Sequence, residues 1–393
     1  MNKMEMININ EKNKKIKEKQ NIDKIVLTGE ESDSKFEYAS QWQLMWWRFK
    51  KHKAAMFSSV IIIILYLTAI FAGFVAPYGP NERNSGLNFA PPMKLHFVDE
   101  EGFHFRPFAY SYKQKLDPET FERIYKIEKS KKLPLYFFVY ADKYKMWGVF
   151  ETNFHLFGTK KGEKIFLFGT DEFGRDLFTR IIYGGQISMS IGLVGVFSSF
   201  ILGLILGGIS GYFGGAADNI IQRGIEIVRS FPRIPLWMCL SAALPYHWSS
   251  IKIYFSITII LSIIGWTGIA RVARSKILSL KNEDFVIAAR LAGMGEAKII
   301  ARHLIPSFMS HIIATITLWI PQMILGETAL SFLGIGLRSP AISWGVLLQA
   351  AQNVHAVALA PWLLIPGFFV IIFVLSFNFL GDGLRDAADP YSI

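Results

Sequence analysis

A few residues of this chain have types and spacing that could support chemistry inside a membrane. Ser210 lies in the tetrapeptide Gly-Ile-Ser-Gly at 208–211, and His311 lies in a different apolar segment. Such a pair could act as the nucleophile and the base of an intramembrane serine protease. Glycine and serine in apolar segments also permit close helix packing, and short motifs arise by chance in glycine-rich stretches. Packing is therefore the preferred interpretation.

Other kinds of site lack their required residues. The string at 158–164 has the wrong spacing for a phosphate-binding loop, and Gly-x-x-x-x-Gly-Lys-Ser/Thr occurs nowhere. The acidic run at 169–176 lacks the alternating oxygen ligands of a calcium loop, so Asp171 is predicted to cap a helix. Cys239 is the single cysteine, which excludes an intramolecular disulfide and a cysteine-based metal site. We expect no catalytic residue, no metal and no cofactor.

A loop near residue 290 carries a stronger signal. Gly293 or Gly295 can end a short helix in the left-handed conformation, and Glu296 opens a second helix. Small residues let a helix approach the surface of another protein closely, so this loop is a candidate docking element. The side chains predicted to share one face of the first helix are Phe285, Ala288, Ala289 and Ala292.

The composition places these residues in a membrane protein. Hydrophobic residues make up 51% of the 393 residues and charged residues 19%, against about a quarter charged in average soluble chains. Stretches of about 18 or more residues without charge are long enough to span a bilayer. A soluble enzyme is therefore excluded. The stretches without Asp, Glu, Lys or Arg are 54–76, 181–217, 253–270 and 339–381.

The net charge of +11 indicates orientation rather than nucleic-acid binding. The basic residues gather beside the apolar segments, as the positive-inside rule requires, and no base-reading pattern accompanies them. Four of them, Arg48, Lys50, Lys51 and Lys53, precede the first apolar stretch and place that end in the cytoplasm. The basic loops alternate with the spans in agreement with a cytoplasmic location for both termini.

These patterns predict an all-α polytopic membrane protein with six transmembrane helices and a small β-rich or mixed extracytoplasmic domain. Strands are expected near 135–140 and 164–168, and a helix over 118–129. Trp344 and Trp362 are expected to anchor at the membrane interface. The six spans are predicted near 54–76, 188–212, 225–244, 253–270, 307–325 and 361–380.

The chain is predicted to divide into four parts. Residues 1–53 form a cytoplasmic tail and an interfacial collar, and residues 54–76 form the first span. Residues 77–180 form the extracytoplasmic domain and an elbow helix. Residues 181–393 form a five-helix core that contains the cytoplasmic loop 271–306.

The loop resembles the EAA loop of ABC-transporter permeases. The tripeptide at 287–289, Gly293 and the Leu-Ile-Pro at 304–306 fit its frame, although Ile287 replaces the usual Glu and His303 stands where Ile is common. Further strings resemble the C-type subunit of oligopeptide and dipeptide permeases, and the resemblance covers residues 48–82 and 166–393. These strings are RFKKHKAA at 48–55, APYGP at 76–80, FGTDEFGRDLFTR at 168–180, SFLGIG at 331–336, SWG at 343–345 and FNFLGDGLRDAADP at 377–390.

The resemblance implies a permease subunit of an ATP-driven importer in the cell membrane, with oligopeptides or dipeptides as cargo, and not an enzyme. It implies a B-type permease partner, two cytoplasmic ATPases that bind the ATP, and an extracytoplasmic substrate-binding protein. The residues it assigns to ATPase coupling are Asp284, Phe285, Ile287, Ala288, Ala289, Arg290, Ala292, Gly293 and Glu296.

Glu327 is a candidate residue of the pathway or of the structure. It could line the pathway and meet the amino terminus of a peptide, or it could accept bonds from the backbone at 334–336 or pair with Arg338. The alternatives to a peptide importer are a rhomboid-type serine protease that uses Ser210, a passive channel, and an ABC importer of oligosaccharide, nickel or glutathione.

Overall fold

The chain folds into long helices interrupted by two small antiparallel sheets. The computed structural model describes residues 41–100, 102–116, 118–119, 123–159 and 162–388. Most of the predicted cytoplasmic tail lies outside these residues, as do residues 120–122 of the helix predicted over 118–129.

The first apolar helix has two different faces. Helix α1 (Gln41–Lys51) is followed by α2 (Lys53–Ile70) and the short α3 (Ala72–Val75). The Nδ1 atom of His52 accepts a bond of 3.1 Å from the backbone N–H of Ala55 and so caps α2. Small residues of α2 are buried against the other helices, and large apolar side chains are exposed on the opposite side. The buried small residues are Ala55, Ser58 and Ala69; the exposed stripe is Phe57, Val60, Ile64, Leu67 and, just past the helix, Phe71.

The sheets follow the first span. Strands β1 to β3 form one antiparallel sheet, and β4 and β5 form a separate hairpin. The predicted helix is wrong for its described part, because Ile124 and Ile127 pair with β2 and satisfy their backbone groups in a ladder. The expected strand at 164–168 is extended chain ending in a turn. The strands are β1 (His96–Asp99), β2 (Gly102–Leu116), β3 (Arg123–Pro134), β4 (Tyr136–Met146) and β5 (Phe150–Gly158).

Helices from residue 177 onward form the core of the described part of the chain. The helices are α4 (Leu177–Phe213), α5 (Gly215–Ser230), α6 (Arg233–Ala242), α7 (Ser250–Leu280), α8 (Asp284–Leu291), α9 (Glu296–Ile299), α10 (Ile305–Ser307), α11 (Met309–Thr317), α12 (Trp319–Phe332), α13 (Trp344–Gln349), α14 (Val354–Leu359) and α15 (Ile365–Ala388). A π-turn at Ile300–Leu304 joins α9 to α10, and short 3₁₀ turns precede α14 and α15.

Five helical segments among the described residues are long and apolar enough to cross a membrane. The predicted third span is instead two helices, α5 and α6, because Phe231 adopts the extended conformation favoured before a proline and Pro232 offers no backbone N–H. The described residues therefore do not confirm the count of six. The five segments are Lys53–Ile70, Leu177–Phe213, Ser250–Leu280, Met309–Phe332 and Pro361–Ala388.

Glycines bring α4 and α7 together. A Cβ atom at Gly207 would lie 2.5 Å from the carbonyl oxygen of Ala270, and one at Gly211 would lie 2.8 Å from that of Arg274. Four-residue spacing of small residues is the usual device for close helix contact in membranes. The glycines around Ser210 therefore serve packing.

Trp344 belongs to the core rather than to the membrane interface, so that expectation was wrong. It is buried, its indole N–H donates to the carbonyl of Ile181 at 3.0 Å, and its ring packs against Phe373. Its aromatic area fills the space between α4 and α15. Trp362 is only partly buried and donates to the carbonyl of Thr170 at 3.0 Å.

Candidate functional site

Helix α8 is fixed to the core by two of its side chains. Val286 and Ala289 are buried, three residues apart, and belong to one apolar cluster with Ile277 of α7 and Tyr212 of α4. Helix α9 is fixed in the same way, because its last residue, Ile299, is also buried in this cluster. The loop is therefore a rigid part of the bundle.

Gly293, not Gly295, ends α8. Its φ of +77° lies in the left-handed region, and its N–H donates to the carbonyl of Arg290 at 3.0 Å. The N–H of Met294 reaches back to the carbonyl of Ala289 at 3.1 Å. These two bonds form a Schellman motif, in which a residue without a Cβ is strongly favoured at this position. The predicted helix–glycine–helix geometry is present.

Arg290 joins the loop to the end of α4. Its guanidinium donates to the hydroxyl of Tyr212 at 3.2 Å and lies 5.9 Å from the centre of that ring. The contact adds a polar connection beside the buried cluster.

The outward face of α8 is apolar. Phe285, Ile287 and Ala288 are exposed, and so is Leu291, which is 84% exposed. Ala292 is also exposed. The sequence placed Ala289 on this face, but Ala289 points inward, since the helix turns it beside Val286. Two acidic residues, Asp284 and Glu296, open the two short helices, where the helix dipole favours negative charge.

An ion pair that the sequence reasoning missed stabilises the same end of the bundle. Arg274 of α7 donates to both carboxylate oxygens of Asp218 in α5, at 2.6 and 2.5 Å. These bonds lower the pKa of Asp218 to about 2. A signal was available: Asp218 is the first charged residue after the long uncharged stretch, where an ionised side chain requires a nearby partner.

Ser210 belongs to this ion-pair network. Its hydroxyl donates to Asp218 at 2.5 Å and accepts from the amide of Gln222 at 3.0 Å. His311 is exposed on α11, and no hydrogen bond among the described residues joins it to Ser210. The hydroxyl of Ser210 therefore makes structural hydrogen bonds. This arrangement agrees with a role in packing rather than in proteolysis.

Glu327 is completely buried in α12. Its Oε2 accepts from the hydroxyl of Ser188 at 3.0 Å, and its Oε1 accepts from the hydroxyl of Ser331 at 2.8 Å. Ser188 in turn accepts from the backbone N–H of Trp344 at 3.1 Å. The two partners named from sequence are engaged elsewhere. The amides at 334–336 bond to backbone carbonyls, and the guanidinium of Arg338 lies 4.3 Å from the ring of Tyr246.

The cap of α4 is Asp176, so the prediction of Asp171 as that cap was wrong. Asp176 accepts from the N–H of Thr179 at 2.8 Å, and burial raises its pKa to about 6. Asp171 instead closes the preceding loop: it accepts from the N–H of Phe173 and from the guanidinium of Arg175 at 2.7 Å. Both acids lie within the run 169–176, and only the fold shows which one meets the first turn.

Two family models match the chain. The model of the binding-protein-dependent transport system inner membrane component matches residues 199–391. The model of the N-terminal transmembrane domain of oligopeptide transport permease C matches residues 40–92.

Curated relatives agree with these models. The chain is 43% identical over 226 residues to the oligopeptide transport system permease protein OppC of Haemophilus influenzae, which covers 57% of this chain and 70% of the relative. It is 38% identical to the dipeptide transport system permease protein DppC of Bacillus subtilis, over 57% of this chain and 68% of the relative. The DppC protein of Lactococcus lactis is 31% identical over 89% of this chain and 91% of its own length.

The chain has several membrane-spanning helices and a helix–glycine–helix loop, and its relatives are transport permeases. It is therefore a membrane transport permease and not an enzyme. The chain belongs to the family of binding-protein-dependent transport permeases that contains the OppC and DppC subunits. Among solved structures, an inward-facing MetNI methionine ABC transporter aligns with 54% of this chain and 98% of its own. The identity is 16% and the TM-score 0.42.

Proposed function

We propose that this chain is one of two membrane-spanning subunits of an ATP-driven importer of oligopeptides or dipeptides. Its curated relatives carry the names of oligopeptide and dipeptide permeases. In the proposal a B-type permease forms the other half of the pathway. Two cytoplasmic ATPases bind the ATP, so this chain needs no cofactor, and an extracytoplasmic binding protein delivers the peptide.

The observation that carries the proposal is the shape of α8. Its exposed face holds the small residues Ala288 and Ala292 among larger apolar ones, and its other face is fixed to the core. The larger residues are Phe285, Ile287 and Leu291. Small residues let another protein approach the helix closely, and the buried cluster transmits a displacement of α8 to α4 and α7. Closure of the ATPases would then move the inner ends of the spans together as rigid bodies.

We propose that both termini and α8 face the cytoplasm, with the sheets on the other side. The start of α2 and the end of α15 lie together, since Nε2 of His52 is 3.9 Å from a carboxylate oxygen of Asp386. Ends on one side require an even number of crossings. The pair α5 and α6 would add the sixth crossing to the five long segments. The basic residues before α2 support the cytoplasmic assignment.

Glu327 has a structural role in this proposal. Its two oxygens are bound by serine hydroxyls from α4 and α12, and its side chain has no exposed surface. It would connect α4 and α12 rather than meet the peptide.

Reconstitution tests the proposal. The chain is placed in liposomes with its B-type partner, the ATPases and the binding protein, and uptake of a labelled oligopeptide is measured with and without ATP. Uptake that requires both ATP and the ATPases is expected. Conduction by the chain without the ATPases would instead indicate a channel.

The cargo is tested separately with the binding protein. Calorimetry with oligopeptide, oligosaccharide, nickel and glutathione should show tight binding of peptide alone. Tight binding of one of the other three would reassign the cargo but keep the assignment as a permease.

The substitution Ser210→Ala tests the protease alternative. If it abolished a proteolytic activity and left peptide uptake intact, the proposal would be contradicted.

A further inference from the structure

The tip of the β4–β5 hairpin has an unusual backbone and side-chain combination. Trp147 and Gly148 are the central residues of the turn from Met146 to Val149, which is closed by a bond of 3.1 Å. Both have positive φ, +53° and +74°, the pattern of a type I′ turn. Such turns strongly favour Asn, Asp or Gly, because a bulky side chain in the left-handed region costs free energy. A tryptophan held there requires a compensating contact.

The compensating contact is with the end of the first span. The indole N–H of Trp147 donates to the carbonyl of Ile70 at 2.9 Å, and its ring lies 5.9 Å from that of Phe71. Ile70 is the last residue of α2, where carbonyls lack partners within the helix. Tyr144 packs on Gly73 just beyond. The hairpin tip is therefore fixed at the level where the span ends.

The exposed stripe of α2 leads directly to this tip. Its members recur at seven-residue intervals on one face and end at Phe71, which touches Trp147. All of them are large and apolar, whereas three of the four buried residues of α2 are small. The buried residues are Ala55, Ser58, Ile62 and Ala69. Helix contacts in membranes favour small residues. The stripe therefore has the composition of a lipid-facing surface.

The tip extends that surface past the end of the helix. Trp147 is 58% exposed, Val149 73% and Phe150 61%. Lys143 and Lys145 lie nearby on β4 and are exposed, and the ammonium group of Lys145 is 3.7 Å from a carboxylate oxygen of Glu151. Tryptophan and apolar side chains with flanking lysines are the composition of segments that lie in the headgroup layer of a bilayer.

We propose that the β4–β5 tip, formed by Trp147, Val149 and Phe150, inserts into the headgroup layer of the bilayer at the end of the first span. It anchors the sheet segment to the lipid surface. Neither family model assigns a role to this segment, since both leave residues 93–198 unmatched.

Depth-dependent fluorescence quenching tests this proposal in the full chain. Cys239→Ser removes the native thiol, and Val149→Cys or Phe105→Cys then carries an environment-sensitive fluorophore. Phe105 is the matched control, being an apolar residue that is 95% exposed on the other sheet. The chain is reconstituted in phosphatidylethanolamine and phosphatidylglycerol vesicles with lipids spin-labelled near the headgroup or at the chain end.

The probe at Val149 should show blue-shifted emission and be quenched most by the headgroup label, and the probe at Phe105 should be quenched by aqueous iodide. Trp147→Asn suits the type I′ turn and keeps the hairpin, yet it should reduce lipid quenching at Val149. Equal iodide access at both positions would overturn the proposal. So would protection at Val149 that appears only when the B-type permease is present, because the tip would then contact protein. Both outcomes leave the peptide-uptake assay unaffected.

Discussion

The outer face of α8 and the tip of the β4–β5 hairpin are both exposed and apolar, and they differ in composition. The outer face of α8 combines the small Ala288 and Ala292 with three larger apolar residues, on a helix whose other side is fixed to the core. The larger residues are Phe285, Ile287 and Leu291. The hairpin tip presents Trp147 and Val149 from a strained turn at the end of the first span. Exposed hydrophobicity alone would class them together.

The difference lies in what each surface can approach. Small side chains allow another helix or groove to come near the backbone, which protein interfaces use. Large aromatic and branched side chains beside lysines fit the disordered layer between lipid chains and water, which requires no shape complementarity. The two alanines of α8, which have no counterpart at the hairpin tip, therefore separate a protein contact from a lipid contact here, and the following substitutions test that separation.

Ala288→Glu should have the largest effect. A carboxylate buried without a partner at an interface costs several kcal/mol. Because about 1.4 kcal/mol corresponds to a tenfold change in an equilibrium constant, peptide uptake and co-purification of the ATPases should fall by about tenfold or more. Ala216→Glu, at another exposed alanine on α5, is the control and should retain both. Normal uptake in Ala288→Glu would remove α8 from the docking surface.

Gly293→Ala should have an intermediate effect. Because the φ of Gly293 is +77°, a Cβ atom at this position costs about 1 kcal/mol. The population of the docked state should then fall by about fivefold, and peptide uptake should fall with it. Gly295→Ala is the matched control, since Gly295 has a φ of −65° and open space around its Cα. Equal activity of the two variants would show that the end of α8 does not have to be rigid.

Arg290→Met should have a smaller effect, because it removes an exposed contact to Tyr212 but keeps the apolar stem. Contacts of exposed cations contribute little to stability, because solvent screens the charge. Hydrogen exchange of the α8 amides should accelerate slightly, and uptake should fall by no more than about threefold. Arg302→Met, also exposed, is the control. A complete loss of uptake would instead place Arg290 in direct contact with a partner.

Val149→Ser should have the smallest effect on transport. Surface changes usually alter stability by about 0.5 kcal/mol or less, so uptake should change by about twofold at most. The same variant should weaken the lipid contact of the hairpin tip, measured by quenching at a neighbouring labelled position. A transport defect as large as that of Ala288→Glu would contradict the division into a protein-facing and a lipid-facing surface.

Much of the core could be predicted from local patterns. Uncharged stretches located the long apolar helices, and the helix–glycine–helix loop was found from the spacing of Ala288, Ala289 and Gly293. The errors have a common cause. Each error concerns a choice that depends on neighbours distant in sequence. These choices are the face on which Ala289 lies, the acid that caps α4 (Asp176 rather than Asp171) and the burial of Trp344.

The sequence by itself determined the membrane class and the family, because hydrophobic length and ordered motifs are properties of the chain. Only the tertiary structure decided the partners of polar groups. The bonds from Arg274 to Asp218, from Ser188 to Glu327 and from Trp147 to Ile70 join residues 56 or more positions apart. Buried or membrane-level polar atoms must find such partners, and local sequence does not indicate which ones.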